Sequence, residues 1–104
     1  MVKTKRQIEE IIQRYKAELK ILGIDPQRVV LYGSYARGNP RDDSDIDLIV
    51  ISKDFNKMNI RQRLETLGLA AGRVFEPIEA LGYTDDELKD KKGTFLEEVF
   101  SSLL

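Results

Sequence analysis

The chain has 104 residues, with 17 lysines and arginines against 18 aspartates and glutamates, so no broad positive field advertises a long nucleic-acid ligand. It has no cysteine and no histidine, which excludes disulfides, thiol nucleophiles, imidazole bases and the usual zinc sites, and leaves acid–base work to carboxylates. This length predicts a single domain over residues 1–104; with no apolar leader in MVKTKRQIEE and no run near the ~20 apolar residues that span a bilayer, the expected location is the cytoplasm.

Thr4 followed by Gln7 is a capping-box signal, and Ile8, Ile11, Ile12, Tyr15, Leu19 and Leu22 then recur at helical spacing up to Gly23. Asp25-Pro26 marks a turn, after which Arg28–Tyr32 reads as a short strand rich in β-formers. Ser34–Arg37 reads as a short helix ended by Gly38-Asn39-Pro40. Asp45–Ile51 is the second predicted strand and Ser52–Lys57 a polar loop. Ile60, Leu64, Leu67 and Ala71 mark a helix that Gly72 is expected to stop, and Val74–Leu81 reads as the third strand. Thr84-Asp85-Asp86-Glu87 is a second capping signal, with acidic side chains suited to the positive end of a helix dipole. Thr94 and Glu97 repeat it before a last predicted helix carrying Phe95, Leu96, Val99, Phe100 and Leu103, a stripe suited to core packing, to a partner or to a second copy of the chain. The order αβαβαβα predicts an α+β, two-layer fold: a small mixed, mainly antiparallel sheet with helices on one face.

One stretch, LYGSYARGNPRDDSDIDLIVIS from Leu31 to Ser52, is built for chemistry. Residues two apart on a strand share a face and lie roughly 6.5 Å apart along the chain, so Asp45 and Asp47 point together while Ile46, Leu48 and Val50 point to the opposite side. Two such carboxylates repel unless a cation lies between them. Mg²⁺ suits them, because it takes hard oxygens, fills its shell with substrate oxygens and water, and in pairs clamps an in-line displacement at phosphorus. Gly33-Ser34 supplies the complement: a glycine lets backbone approach a phosphate, and free amides at a helix start favour anions. For that bend to face the acids the two strands must be antiparallel, and the ten residues between Ser34 and Asp45 are too few for the usual parallel crossover.

Two other readings fail. Gly33-x-x-x-x-Gly38 has P-loop glycine spacing, but Asn39-Pro40 stands where Lys and Ser/Thr are required. Asp43, Asp45 and Asp47 have calcium-loop spacing, but Leu48 stands where the loop needs glycine. The combination of Leu31-Tyr32-Gly33-Ser34 with Asp45-Ile46-Asp47-Leu48 strongly resembles the signature of the DNA polymerase beta-like nucleotidyltransferase superfamily. The Tyr35-Ala36-Arg37-Gly38 and Ser44-Asp45-Ile46-Asp47-Leu48 wording, in so short a chain, looks most like the minimal nucleotidyltransferases of prokaryotes.

That resemblance implies a third acidic residue on a strand beside the Asp-x-Asp strand, where it binds metal or takes the proton of the attacking hydroxyl. Glu79 is the preferred choice because it lies between Ile78 and Ala80 inside the predicted strand; Glu76, the alternative, precedes a proline that cannot donate to a ladder. Arg37 stands where it can reach a phosphate or pair with Asp42 or Asp43, and Ser44 where it can bond the turn. The implied activity is Mg²⁺-dependent transfer of a nucleoside monophosphate, AMP from ATP above others, to a hydroxyl. Asp45, Asp47 and Glu79 are the expected catalytic and metal residues, with Gly33, Ser34 and Arg37 on the nucleotide. Minimal enzymes of this kind are commonly paired with a helical HEPN protein in toxin–antitoxin systems, so a HEPN-type acceptor is the expected partner. The alternatives are a non-catalytic antitoxin or binding subunit acting by contact, or transfer to a small molecule or an RNA end.

Overall fold

A computed structural model describes residues 2–89. The element order is α1 (Lys5–Ile21), β1 (Arg28–Tyr32), α2 (Gly33–Arg37), β2 (Ile46–Ile51), a 3-10 turn (Lys53–Lys57), α3 (Ile60–Val74), β3 (Ile78–Tyr83) and α4 (Asp85–Lys89). The αβαβαβα order is the expected one, and the three strands form one sheet in the order β1-β2-β3. The sheet is mixed: β1 runs antiparallel to β2, as the short connection requires, while β3 is parallel to β2 and reached through α3. Antiparallel pairing therefore does not predominate. The predicted last helix, from Thr94 through Leu103, falls outside the described residues.

Local chemistry explains most boundaries. The Gln7 amide donates to Thr4 Oγ1 at 3.1 Å and the Thr4 amide to Gln7 Oε1 at 2.7 Å, closing the box that starts α1. Thr84 and Glu87 repeat it at α4, and Asn59 with Gln62, a cap the sequence reading overlooked, starts α3. Ser44 ties its turn, its Oγ accepting the Arg41 amide at 2.7 Å. β2 starts at Ile46, leaving Asp45 just ahead of it, α2 starts at Gly33, and three segments differ from expectation by more. The 52–57 segment is a 3-10 turn capped by Ser52 rather than a loop. α3 runs through Gly72 to Val74, because Ala71 and Val74 face the core and burial outweighs the roughly 1 kcal/mol a helical glycine costs. β3 consequently starts at Ile78, not Val74, and continues to Tyr83.

The amphipathic faces of α1 and α3 cover one side of the sheet, packing Ile8, Ile11, Tyr15, Leu19, Leu67, Ala70 and Val74 against Ile46, Leu48 and Val50 of β2. Tyr15 joins the two helices by donating its hydroxyl to the Leu67 carbonyl at 2.9 Å, and burial raises its pKa. On the opposite side Val30, Ile49 and Ile51 form a smaller cluster with Tyr32, Tyr83 and Leu88 of α4, so not every helix lies on one face.

Arg63 fastens the far end of the molecule. Its guanidinium donates to the carbonyls of Phe55, Met58 and Gly82 and to Glu87, 2.7 Å away, and stands 5.6 Å from the centroid of the buried Phe55 ring. That ring leaves no room at Gly82, where a Cβ would come within 2.9 Å of it. The hydrogen bond from Arg63 holds the Glu87 carboxyl below the ordinary range, so ionised Glu87 stabilises the fold at neutral pH, and that contribution disappears as pH falls through its lowered pKa. Glu87→Gln should therefore destabilise the protein by about 1 kcal/mol at pH 7, a figure discounted because Glu87 is more than a third exposed. Thermal melts of both proteins between pH 7 and pH 3 should show the difference shrinking with acidity.

Candidate active site

The C-terminal end of β1 and the N-terminal ends of β2 and β3 meet at one edge of the sheet. The cross-strand register sets Tyr32 opposite Asp47, and Asp47 opposite Glu79. Asp47 and Glu79 thus project from the face away from α1 and α3, the face whose interior is Ile49 and Ile51, and Asp45, just ahead of β2, is near enough for its charge to act on Asp47. Ile46, Leu48 and Val50, each 0% exposed, anchor the same strand in the helical layer. The two-faced pattern of β2 is therefore as expected.

Gly33 turns the chain beside Asp47. Its φ of 76° lies in the left-handed region, and a Cβ built there would fall onto the Asp47 carboxylate, within 2.9 Å of Cγ. Both features require glycine, and the second shows how close the backbone bend comes to the acid. Ser34 follows, its carbonyl accepting the amides of Gly38 and Asn39 to close α2. Gly38 ends α2 in the left-handed conformation.

Electrostatics single out Asp47. Partial burial raises its pKa, the charges of Glu79 and Asp45 raise it further, and Arg37 opposes them. Arg37 is thus near enough for its charge to act on Asp47. Tyr32 is raised too, by burial first and then by Asp47, Glu79 and Tyr83. The two candidates for third carboxylate have different surroundings. Glu79 is exposed opposite Asp47, whereas Glu76 pairs with Lys3 at 3.5 Å and Arg14 at 3.4 Å on α1. Sequence reasoning passed over Tyr32, although its place directly before Gly33 was the available signal.

Among the described residues no three or more His, Cys, Asp or Glu side chains are gathered into a cage for a metal ion. The donors fit a different arrangement: hard carboxylate oxygens, with the charges of Glu79 and Asp45 acting on Asp47, beside a bend too tight for a Cβ. Such a set suits Mg²⁺ shared between one or two carboxylates and the oxygens of a substrate, with no closed protein shell. A groove of about 680 Å³ between the start of α1 and β1 has Glu9 as the sole acid among its lining residues. Among the described residues no helix is long and apolar enough to cross a membrane.

Because ionised Asp47 is held among like charges, Asp47→Asn should raise the melting temperature at pH 7 in the presence of a chelator. Mg²⁺ should stabilise the parent protein and have little effect on the variant. A variant that melts lower than the parent without cation would contradict this electrostatic account.

Several known proteins are similar to this chain in sequence. Three relatives from Methanocaldococcus jannaschii, each named "Putative protein adenylyltransferase", are 34% identical over 59 residues, 41% over 49 and 35% over 66. The alignments cover 56, 47 and 64% of this chain and 60, 56 and 65% of those relatives, so the chain spans less than two thirds of each. A crystal structure of a "putative nucleotidyltransferase" from Sulfolobus solfataricus superposes with a TM-score of 0.49 at 26% identity, over 88% of this chain and 86% of that one. The sequence model of the nucleotidyltransferase domain matches residues 5–100, from the start of α1 past the end of α4. With that match running across the glycine-serine bend and the acidic strand, the chain belongs to the nucleotidyltransferase domain family.

Proposed function

We propose that this chain is a Mg²⁺-dependent adenylyltransferase of the cytoplasm that moves AMP from ATP to a hydroxyl on a partner protein. The observation that carries the reading is Asp47 opposite Glu79 across β2 and β3, with Asp45 acting on the same carboxylate and Gly33 packed against it. Membership of the nucleotidyltransferase family and the names of the relatives support it.

In this reading Gly33, Ser34 and Arg37 hold the β and γ phosphates, backbone and guanidinium meeting anionic oxygens. Asp45 and Asp47 hold the metal, with Glu79 completing its oxygen ligands. The bound cation neutralises the charge that develops on the phosphate oxygens. In the same reading Glu79 would accept the proton of the incoming hydroxyl. The acceptor oxygen forms a bond to the α-phosphorus as the bridge to the β-phosphate breaks, and pyrophosphate leaves on the side of the glycine-serine bend. The chain's contribution is then alignment and charge placement. A HEPN-type helical protein is the proposed acceptor, following the sequence resemblance. The rival reading is a subunit that neutralises its partner by contact alone.

Incubation of the chain and its co-purifying protein with α-labelled ATP and Mg²⁺ should label the partner. Asp45→Asn should reduce labelling by about 10²–10³-fold, as loss of a charge-positioning group does. Neutralisation of the partner that survives Asp45→Asn without any label would favour the contact-only subunit. Ser34→Ala should weaken ATP binding several-fold while the fold melts as before; unchanged affinity would remove Ser34 from the phosphate site.

A further inference from the structure

β1 is an outer strand of the sheet, and no described strand pairs with its other edge. The groove of about 680 Å³ runs along that edge: Arg28, Val29, Val30 and Leu31 all line it, although Val29 and Leu31 pack with the α1 layer and Val30 with the opposite cluster. Consecutive residues that alternate between faces line one groove where it reaches the backbone between them. A strand edge carries a row of outward N–H and C=O groups, and natural sheets blunt it with proline, a central charge or a bulge. The Val29-Val30-Leu31 run has none of these, and its register with β2 is continuous.

The walls select what can cover it. Ile8 and Ile12, one turn apart on α1, and Tyr35 of α2 make the groove apolar. Its charged lining residues are Lys3, Lys5 and Arg28 against Glu9. Lys3 serves Glu76 at 3.5 Å, whereas Lys5 is exposed and forms no salt bridge with a described residue. Three cations against one acid disfavour a second copy of the chain, which would bring the same cations to the contact, and favour an acidic occupant.

We propose that this groove takes an extended segment of a partner protein, alternating apolar with acidic side chains, as an added strand on β1. The backbone of the segment continues the ladder, its apolar side chains fill the space against Ile8, Ile12 and Tyr35, and its acids face Lys5 and the other cations of the rim. Asp47 and Glu79 project from the face away from α1, so the docked segment leaves them open. The two places share α2, which begins with Gly33 and Ser34 and presents Tyr35 and Ala36 to the groove. Docking of this kind needs no transfer chemistry, so it goes beyond the reading above and stands without it.

Fluorescence anisotropy of the full chain with a short labelled peptide alternating valine and glutamate provides the test. This peptide should bind, a valine-lysine peptide should bind about tenfold more weakly, and N-methylation of the valine-glutamate backbone, which blocks ladder hydrogen bonds, should abolish binding. Lys5→Glu places an acid at an exposed helix start, so it should melt as the parent does while weakening the valine-glutamate peptide and strengthening the valine-lysine one. Absence of valine-glutamate binding, equal binding of the two peptides, binding that survives N-methylation, or an unchanged preference in Lys5→Glu overturns the proposal. A dimer in sedimentation that the valine-glutamate peptide dissociates would give the edge to a second copy and overturn it as well.

Discussion

A carboxylate packed against a bare α-carbon is the contact on which this site depends. Asp47 occupies the space that a side chain at position 33 would take, and Gly33 holds a left-handed backbone that other residues adopt reluctantly. Those two facts place the bend after β1 directly over the acidic strand. The antiparallel β1–β2 ladder, with Tyr32 opposite Asp47, and the short α2 closed by Gly38 follow from the same geometry. Any residue larger than glycine would force either the bend or the Asp47 carboxylate to move, and their contact would be lost.

The acidic residues divide into two groups by what surrounds them. Glu76, Glu18 and Glu87 are held by Arg14, Arg73 and Arg63 and serve to join α1, α3 and α4. Among the described residues no lysine or arginine forms a salt bridge with Asp45, Asp47 or Glu79, and these three repel one another. Stability is supplied elsewhere, by the α1–α3 layer and by the buried Arg63 network, which lets the edge of the sheet hold an electrostatically unfavourable cluster.

Much of this was legible from the amino-acid order because it rests on short-range rules. Alternation along Asp45–Ile51 assigned both faces of β2, and the number of residues between Ser34 and Asp45 implied the sense of the β1–β2 ladder. Thr4-Gln7 and Thr84-Glu87 announced their helices because a capping box is completed within one turn. Other features depended on contacts that composition does not reveal. Gly72 looks like a helix stop, yet Ala71 and Val74 bury against the sheet and carry α3 past it to end on Phe75, in a conformation usually given to glycine. Arg63 reads as one more exposed cation, and its burial arises from carbonyls at Phe55, Met58 and Gly82 that come together only in the folded chain. The parallel sense of β3, and with it the placing of Glu79 opposite Asp47, is likewise a product of the α3 crossover.

The alternation along β2 also bears on how this family can vary in length. Shifting the strand by one residue would drive Asp45 and Asp47 into the layer occupied by Ile46, Leu48 and Val50, exchanging about 1.5–3 kcal/mol of burial per aliphatic side chain for the desolvation of two charges. An insertion or deletion within β2 would thus remove fold and site together. The connection from Gly38 to Ser44, exposed for most of its length, can gain or lose residues without disturbing either layer. Length differences among descendants of this chain should collect in that connection and be absent from the strand it feeds.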